Sequence, residues 1–292
     1  MNTLVLGGTG MLGHQVVRVF APGHATFAAV RGSASRVAEH PAFAGARVVG
    51  DMEARDPASV ERILALAKPA LVVNCVGIIK QLPEAGDAVL SEAVNARFPH
   101  ALEALAARDG FRLIHISTDC VFSGRKGRYR EGEPADAADT YGRSKLAGEV
   151  TGPGCLTLRT SLVGPELERH VSLLEWLLSN AGKRVRGFTR AIFSGLSTKV
   201  LARELLRIAE RHPELTGLYH VGVEPISKYD LLVLLKQAFH LDVEIEPSDE
   251  LVLDRSLDSG RYLRATGFVA PTWRDMAAEL ARDVRATKGR TR

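Results

Sequence analysis

The chain has 292 residues, 46% of them hydrophobic and 25% charged, a globular composition with material for a large core that excludes a disordered or fibrous chain. Its formal charge of +4 is matched by Arg285, Lys288, Arg290 and Arg292 at the C-terminus. The body is therefore near neutral, which leaves no basic stripe for nucleic acid, and residues 285–292 read as a solvated, frayed basic tail.

Three cysteines, Cys75, Cys120 and Cys155, are odd in number and lack a C-x-x-C spacing. They suit packing residues in a reducing cytoplasm better than a disulfide framework. No basic leader precedes the first apolar run and no stretch approaches ~18 continuous apolar residues, so neither export nor a membrane span is expected.

At the N-terminus, NTLVLGGTGMLG reads as a buried parallel strand followed at once by a glycine turn and a helix beginning near Met11. The glycines fit two spacings, Gly8-x-Gly10-x-x-Gly13 and Gly7-x-x-Gly10-x-x-Gly13. Both bring backbone N–H groups and a positive helix end close to a pyrophosphate, so Gly7, Gly10, Met11, Leu12 and Gly13 are expected to hold a dinucleotide. A second strand, Ala25 to Val30, ends at Arg31. Dinucleotide sites usually place an acid about 20 residues beyond the glycines, yet no Asp or Glu occurs between Gly13 and Glu39. Arg31 stands there instead, which favours NADP(H) over NAD(H) through a 2′-phosphate, the alternative being a solvated arginine.

ARVVG reads as a third strand, running into Asp51 and Met52. Asp51 is placed either against an adenine amino group or in a simple turn. A helix from Pro57 to Lys68 follows, then an apolar strand from Ala70 to Gly77 that brings Cys75, Val76 and Gly77 to the same sheet edge. Residues Ala88 to Arg108, with Asn95, read as one long helix, and Phe111 to Thr118 as the next strand. This alternation builds a doubly wound parallel α/β sheet, with ligand across the carboxyl ends of the strands.

On a helix, Tyr141 and Lys145 share a face. An adjacent ammonium would lower a phenol's ordinary pKa of about 10 toward neutrality, whereas alone such a pair is usually an aromatic covering a lysine stem. The motifs Gly7-x-x-Gly10-x-x-Gly13, Asn74-Cys75-Val76-Gly77, Ser117-Thr118-Asp119 and Tyr141-x-x-x-Lys145 occur in this order, and together they resemble the extended short-chain dehydrogenase/reductase superfamily. The stretches IHISTDCVFSG, YGRSKLAGE and LRTSLVGP resemble the dTDP-4-dehydrorhamnose reductase family within it. The likeness runs motif by motif through Pro165.

The resemblance implies a Rossmann-type domain over residues 1–160 and a smaller substrate-binding lobe over 161–284, with its interleaving with the sheet left open. It implies that Tyr141 protonates a carbonyl oxygen as hydride arrives, that Lys145 holds the nicotinamide ribose and depresses the tyrosine pKa, and that Thr118 binds the carbonyl. Asp119 would assist proton delivery or orient substrate, or else cap a turn. The implied substrate is a nucleotide-linked 4-keto-6-deoxyhexose in a cytoplasmic enzyme, with a homodimer left open. Leu162 and Val163 replace an aromatic pair of the family, which leaves the hexose undetermined.

Lys80 reads as meeting a phosphate, a sugar hydroxyl or solvent. Arg186 and Arg190 suit a diphosphate, or are solvated, and His220 and Lys228 are further candidate contacts. No metal-ligand spacing occurs among the nine histidines, so no metal is expected. Two alternatives stand beside reduction: epimerisation or dehydration of a nucleotide sugar, and a non-catalytic NADP-binding regulatory subunit.

Overall fold

The computed structural model describes residues 1–290. Its first half alternates strand and helix: β1 (Asn2–Leu6), α1 (Gly13–Phe20), β2 (Ala25–Ala29), β3 (Arg47–Val49), α2 (Pro57–Ala67), β4 (Leu71–Asn74), α3 (Ala88–Glu92), α4 (Phe98–Asp109), β5 (Arg112–Thr118), α5 (Thr140–Ala147) and β6 (Cys155–Thr160). Local chemistry sets the ends. Asp56 caps α2 through Ala58 N and Pro57 opens it, while Lys68 closes it in the left-handed region before Pro69.

The second half contributes β7 (Leu162–Val163), α6 (Leu173–Ser179), β8 (Arg184–Phe188), β9 (Ala191–Phe193), β10 (Leu196–Ser197), α7 (Thr198–Arg211), β11 (Gly217–His220), β12 (Ile226–Ser227), α8 (Lys228–Phe239), β13 (Glu244–Ser248), β14 (Leu253–Asp254), α9 (Gly260–Thr266) and α10 (Trp273–Arg290). The main sheet has seven strands in the order β11-β6-β5-β4-β1-β2-β3. Every pairing in it is parallel. Because β11 comes from the second half, the boundary drawn at residue 160 is crossed by the sheet itself.

Alternation along the strands feeds two apolar layers. Val5, Ala28, Val73 and Ile114 face the cluster built with α1, α7, α8 and α10. Leu4, Leu6, Val72 and Leu113 face the opposite cluster, with α2 and α4. The strand order runs outward in opposite directions from β1 and β4, so the crevice between their carboxyl ends is the topological switch point at which such sheets bind ligands.

Three expectations need correction. The strand expected over Ala70 to Gly77 stops at Asn74, because the Asn74 side chain accepts from Val76 N at 3.1 Å and turns the chain out of the ladder. The helix expected over Ala88 to Arg108 is interrupted by a π turn, Ala93–Arg97, a feature often found at functional sites. The frayed basic tail is helical through Arg290, and Arg285 donates to Ala238 O at 2.6 Å. Arg292 lies outside the described residues.

Candidate active site

At the end of β1 the chain turns through Gly7, whose φ is +78°; a Cβ there would lie 3.1 Å from the Cys75 carbonyl group. Gly10 N donates to Gly7 O at 2.9 Å, and a Cβ on Gly13 would run into the same carbonyl. The turn and the start of α1 can be this close only because neither position carries a side chain. Leu12 is the N-cap of α1 and offers no side-chain acceptor, and His14 N and Gln15 N turn back onto Gly10 O and Leu12 O at 3.2 and 3.0 Å, so the amides ahead of them, at the turn itself, are the ones open to a ligand. Such a cradle at the switch point fits a dinucleotide pyrophosphate. Leu12 buries its side chain in the core, which confines any ligand role to its backbone.

Arg31 is exposed immediately beyond β2, at the carboxyl edge of the sheet. Asp51 is exposed with φ +57°, its carbonyl accepting from Arg62 NH2 at 3.2 Å, and Met52 is buried. Past β4, the loop Cys75–Ile78 is fixed by Asn95 from the π turn. Asn95 Oδ1 accepts from Ile78 N at 2.9 Å, and Asn95 Nδ2 donates to Ile78 O at 3.2 Å and to Ser144 Oγ at 3.1 Å. One buried amide therefore ties the loop holding Cys75, Val76 and Gly77 to α5.

Thr118 ends β5 and caps the short turn Asp119–Val121, its Oγ1 accepting from Cys120 N at 3.1 Å and donating to Asp119 Oδ1 at 3.3 Å. Across from it, α5 starts at the N-cap Asp139, whose Oδ1 accepts from Gly142 N at 2.7 Å. Tyr141 and Lys145 follow one turn apart. Burial drives the Tyr141 phenol up, helped by Cys120 and Asp119, while a side-chain hydrogen bond with Thr118 opposes the rise. Lys145 Nζ is buried and donates to Ile116 O at 2.7 Å. Burial lowers it to about 8, against the attraction of Glu149 and Cys75.

These values correct one expectation. Lys145 is not among the leading influences on the Tyr141 phenol, which burial raises rather than depresses. The ammonium is committed to the Ile116 carbonyl, and loss of hydration dominates both side chains. Asp119 is likewise pushed up by burial, against Ser161, Cys120, Arg255 and Thr118.

The substrate-side candidates are spread out. Lys80 Nζ pairs with Asp139 Oδ2 at 2.6 Å, which joins it to the cap of α5. Arg186 pairs with Glu250 at 2.6 Å and lines a 450 Å³ cleft with Leu173, Trp176, Phe188 and Lys228. Arg190 is exposed on the turn between β8 and β9. Burial lowers Lys228, which Asp119 and Cys120 hold back, so this lysine links the cleft to the turn after Thr118. His220 is corrected: it is fully buried, with Nδ1 2.9 Å from Tyr129 O and Nε2 3.3 Å from Arg159 NH1.

Arg255 was not singled out from sequence. Its Nε donates to Phe122 O at 2.7 Å and NH1 approaches Cys120 Sγ at 3.6 Å. It reaches the turn after Thr118 from 135 positions downstream in the chain, and no local spacing could have shown this.

The chain is similar to several known proteins. The methionine adenosyltransferase 2 subunit beta of Xenopus laevis is 26% identical over 266 residues, 82% of this chain and 72% of that protein. A dTDP-4-dehydrorhamnose reductase of Burkholderia thailandensis is 32% identical over 168 residues, 56% of this chain and 50% of that protein. The crystal structure of a hypothetical dTDP-4-dehydrorhamnose reductase from Sulfolobus tokodaii superposes with a TM-score of 0.77 at 25% identity, covering 94% of this chain and 98% of that one. The family model described as the RmlD substrate binding domain matches residues 1–286, and the chain belongs to that family.

Proposed function

We propose that the protein is an NADPH-dependent reductase of the 4-keto group of a nucleotide-linked 6-deoxyhexose, working in a reducing cytoplasm where its cysteines stay thiols. The observation that carries this reading is the placement of Tyr141, one turn before Lys145 on α5, beside Thr118 at the carboxyl end of β5 on the switch-point side of the sheet, close enough for Thr118 to act on the phenol's ionisation. Gly7, Gly10 and Gly13 would seat the pyrophosphate, and Arg31 the 2′-phosphate. NAD(H) fits less well, for want of an acid after β2. The nicotinamide supplies hydride to the carbonyl carbon.

The phenol and threonine answer the charge that develops on oxygen. With its pKa raised, Tyr141 stays protonated through the neutral range. It gives up the proton once the oxygen becomes alkoxide-like, a far stronger base than a phenolate. Carbon gains the hydride and oxygen the proton, so the ketone becomes an alcohol and Tyr141 is reprotonated from solvent. Thr118 Oγ–H, released from Asp119, donates to the same oxygen, and Lys145 supplies fixed positive charge for the cofactor ribose. Lys228, Arg186 and Trp176 give the cleft cations and an aromatic face for the nucleotide part.

The test is to supply purified protein with NADPH and a dTDP-4-keto-6-deoxyhexose. Reduction consumes NADPH one for one with product; epimerisation or dehydration turns substrate over with no net loss of NADPH. The similarity to methionine adenosyltransferase 2 subunit beta favours a second reading, a dinucleotide-binding regulatory subunit. Cofactor binding without turnover on any dTDP-, UDP- or GDP-linked keto sugar would support that reading and overturn the first.

A further inference from the structure

Below the glycine turn lies a buried polar chain that the reaction does not use. His14 and Gln15 open α1 and are almost fully buried. His14 Nδ1 lies 2.8 Å from Gly10 O. A carbonyl can only accept, so Nδ1 carries the hydrogen. On the other side of the ring, Gln15 Nε2 lies 3.0 Å from His14 Nε2. Burial lowers His14 to about 4, so the ring is neutral at working pH and Nε2 accepts the amide hydrogen.

The chain continues to the far end of the sequence. Gln15 Nε2 also reaches Asp283 Oδ2 on α10, at 3.5 Å, and Gln15 Oε1 accepts from Arg18 NH1 at 3.2 Å. Asp283 takes both arms of Arg18, at 2.8 and 3.0 Å, and Lys199 of α7 at 3.0 Å. Hydrogen bonds thus run without a break from the C-terminal helix to the carbonyl of Gly10.

The planarity of the peptide unit gives that contact its consequence. The Gly10 carbonyl and the Met11 N–H belong to one trans peptide and point in opposite directions. A donor that holds Gly10 O inward, toward the buried ring, also holds Met11 N–H outward, at the uncapped mouth of α1. That is where a dinucleotide phosphate would sit.

We propose that His14 is a positioning residue for the dinucleotide turn, and that Gln15 and Asp283 make its grip depend on the docking of α10. The inference rests on the dinucleotide reading above. By linkage, cofactor binding must stabilise the docked C-terminal helix as much as docking favours the cofactor.

The test uses the full chain and NADPH, with dissociation constants from fluorescence titration. His14→Leu removes the donor, and binding should weaken about tenfold, the scale of one hydrogen bond. His14→Asn places an N–H where Nδ1 stood and should restore binding to within about twofold. Asp283→Asn should fall between the two. In wild type, NADPH should slow amide hydrogen exchange in the 276–284 segment, and His14→Leu should abolish that protection. Equal affinities for wild type, His14→Leu and His14→Asn would overturn the proposal, as would no protection of α10 in wild type, a readout that needs no variant. Failure of wild type to bind NADPH or NADH would overturn the dinucleotide reading instead.

Discussion

Glu149 and Arg159 face each other in a buried bidentate pair, Oε1 to Nε at 2.8 Å and Oε2 to NH2 at 2.7 Å. Ser117 Oγ donates to the same carboxylate at 2.7 Å, and Glu149 is the leading group that supports the charge on Lys145. Replacing Glu149 by Gln leaves the Arg159 guanidinium buried without a counter-charge, a loss of roughly 3–5 kcal/mol on the scale of broken buried pairs. It should also lower the Lys145 pKa further. Chemical denaturation measures the first effect, and the pH profile of kcat/KM for NADPH measures the second.

That profile has a definite sign in the parent protein. Burial brings Lys145 down to about 8 in the folded chain, from 10.5 for the ordinary group. As pH rises through about 8 the ammonium is lost, and kcat/KM for NADPH should fall about tenfold per unit above it. The stability contribution of Lys145 runs the other way. Between about 8 and 10.5 the unfolded chain binds more protons, so unfolding free energy rises with pH there; below about 8 the burial penalty is fully present. Activity falling while the fold holds would separate this titration from alkaline denaturation.

Tyr141→Phe removes the proton donor but keeps the ring. Turnover should drop by about 10²–10⁴, the usual worth of a positioned acid, with NADPH affinity changed less than twofold. Steady-state kinetics beside a binding titration checks both. Turnover within twofold of wild type would show that the proton comes from elsewhere.

Arg31→Ala should weaken NADPH by about 10–100-fold, the loss of a charge-assisted contact, and leave NADH unchanged. Equal weakening of both would mean that the guanidinium does not meet the 2′-phosphate.

Gly13→Ala drives a methyl group into Gly7 O, whereas a Cβ on Gly23 meets nothing within 4 Å. The first substitution should destabilise by about 1–3 kcal/mol, as overpacking does, and abolish NADPH binding. Gly23→Ala should do neither, as thermal melts with and without NADPH would show.

Much of the fold was legible because its signals are local. An apolar run before Gly7, Pro57 after Asp56, and Tyr141 four positions before Lys145 each declare an element within a few residues. The π turn around Asn95 was not legible, since helical periodicity continues across it and the extra residue is stabilised by Ile78 and Ser144, distant in sequence. Neither α9 nor α10 was read from the sequence, although Trp273, Met276, Ala277, Leu280 and Ala281 recur at helical spacing along the buried face of α10.

By itself the sequence determined the parallel sheet, the tight glycine turn after β1 and the shared helix face of Tyr141 and Lys145, because glycine geometry and helical spacing act over single turns. Only the tertiary structure decided the charge states: Lys145 is lowered and Tyr141 raised by burial, and hydration is lost only when the elements close over them. It also decided that His220 is a core residue and that Arg255 and Asp283 reach the site's surroundings from the far end of the chain. Contacts between residues so distant in sequence are settled by packing, which no spacing along the chain encodes.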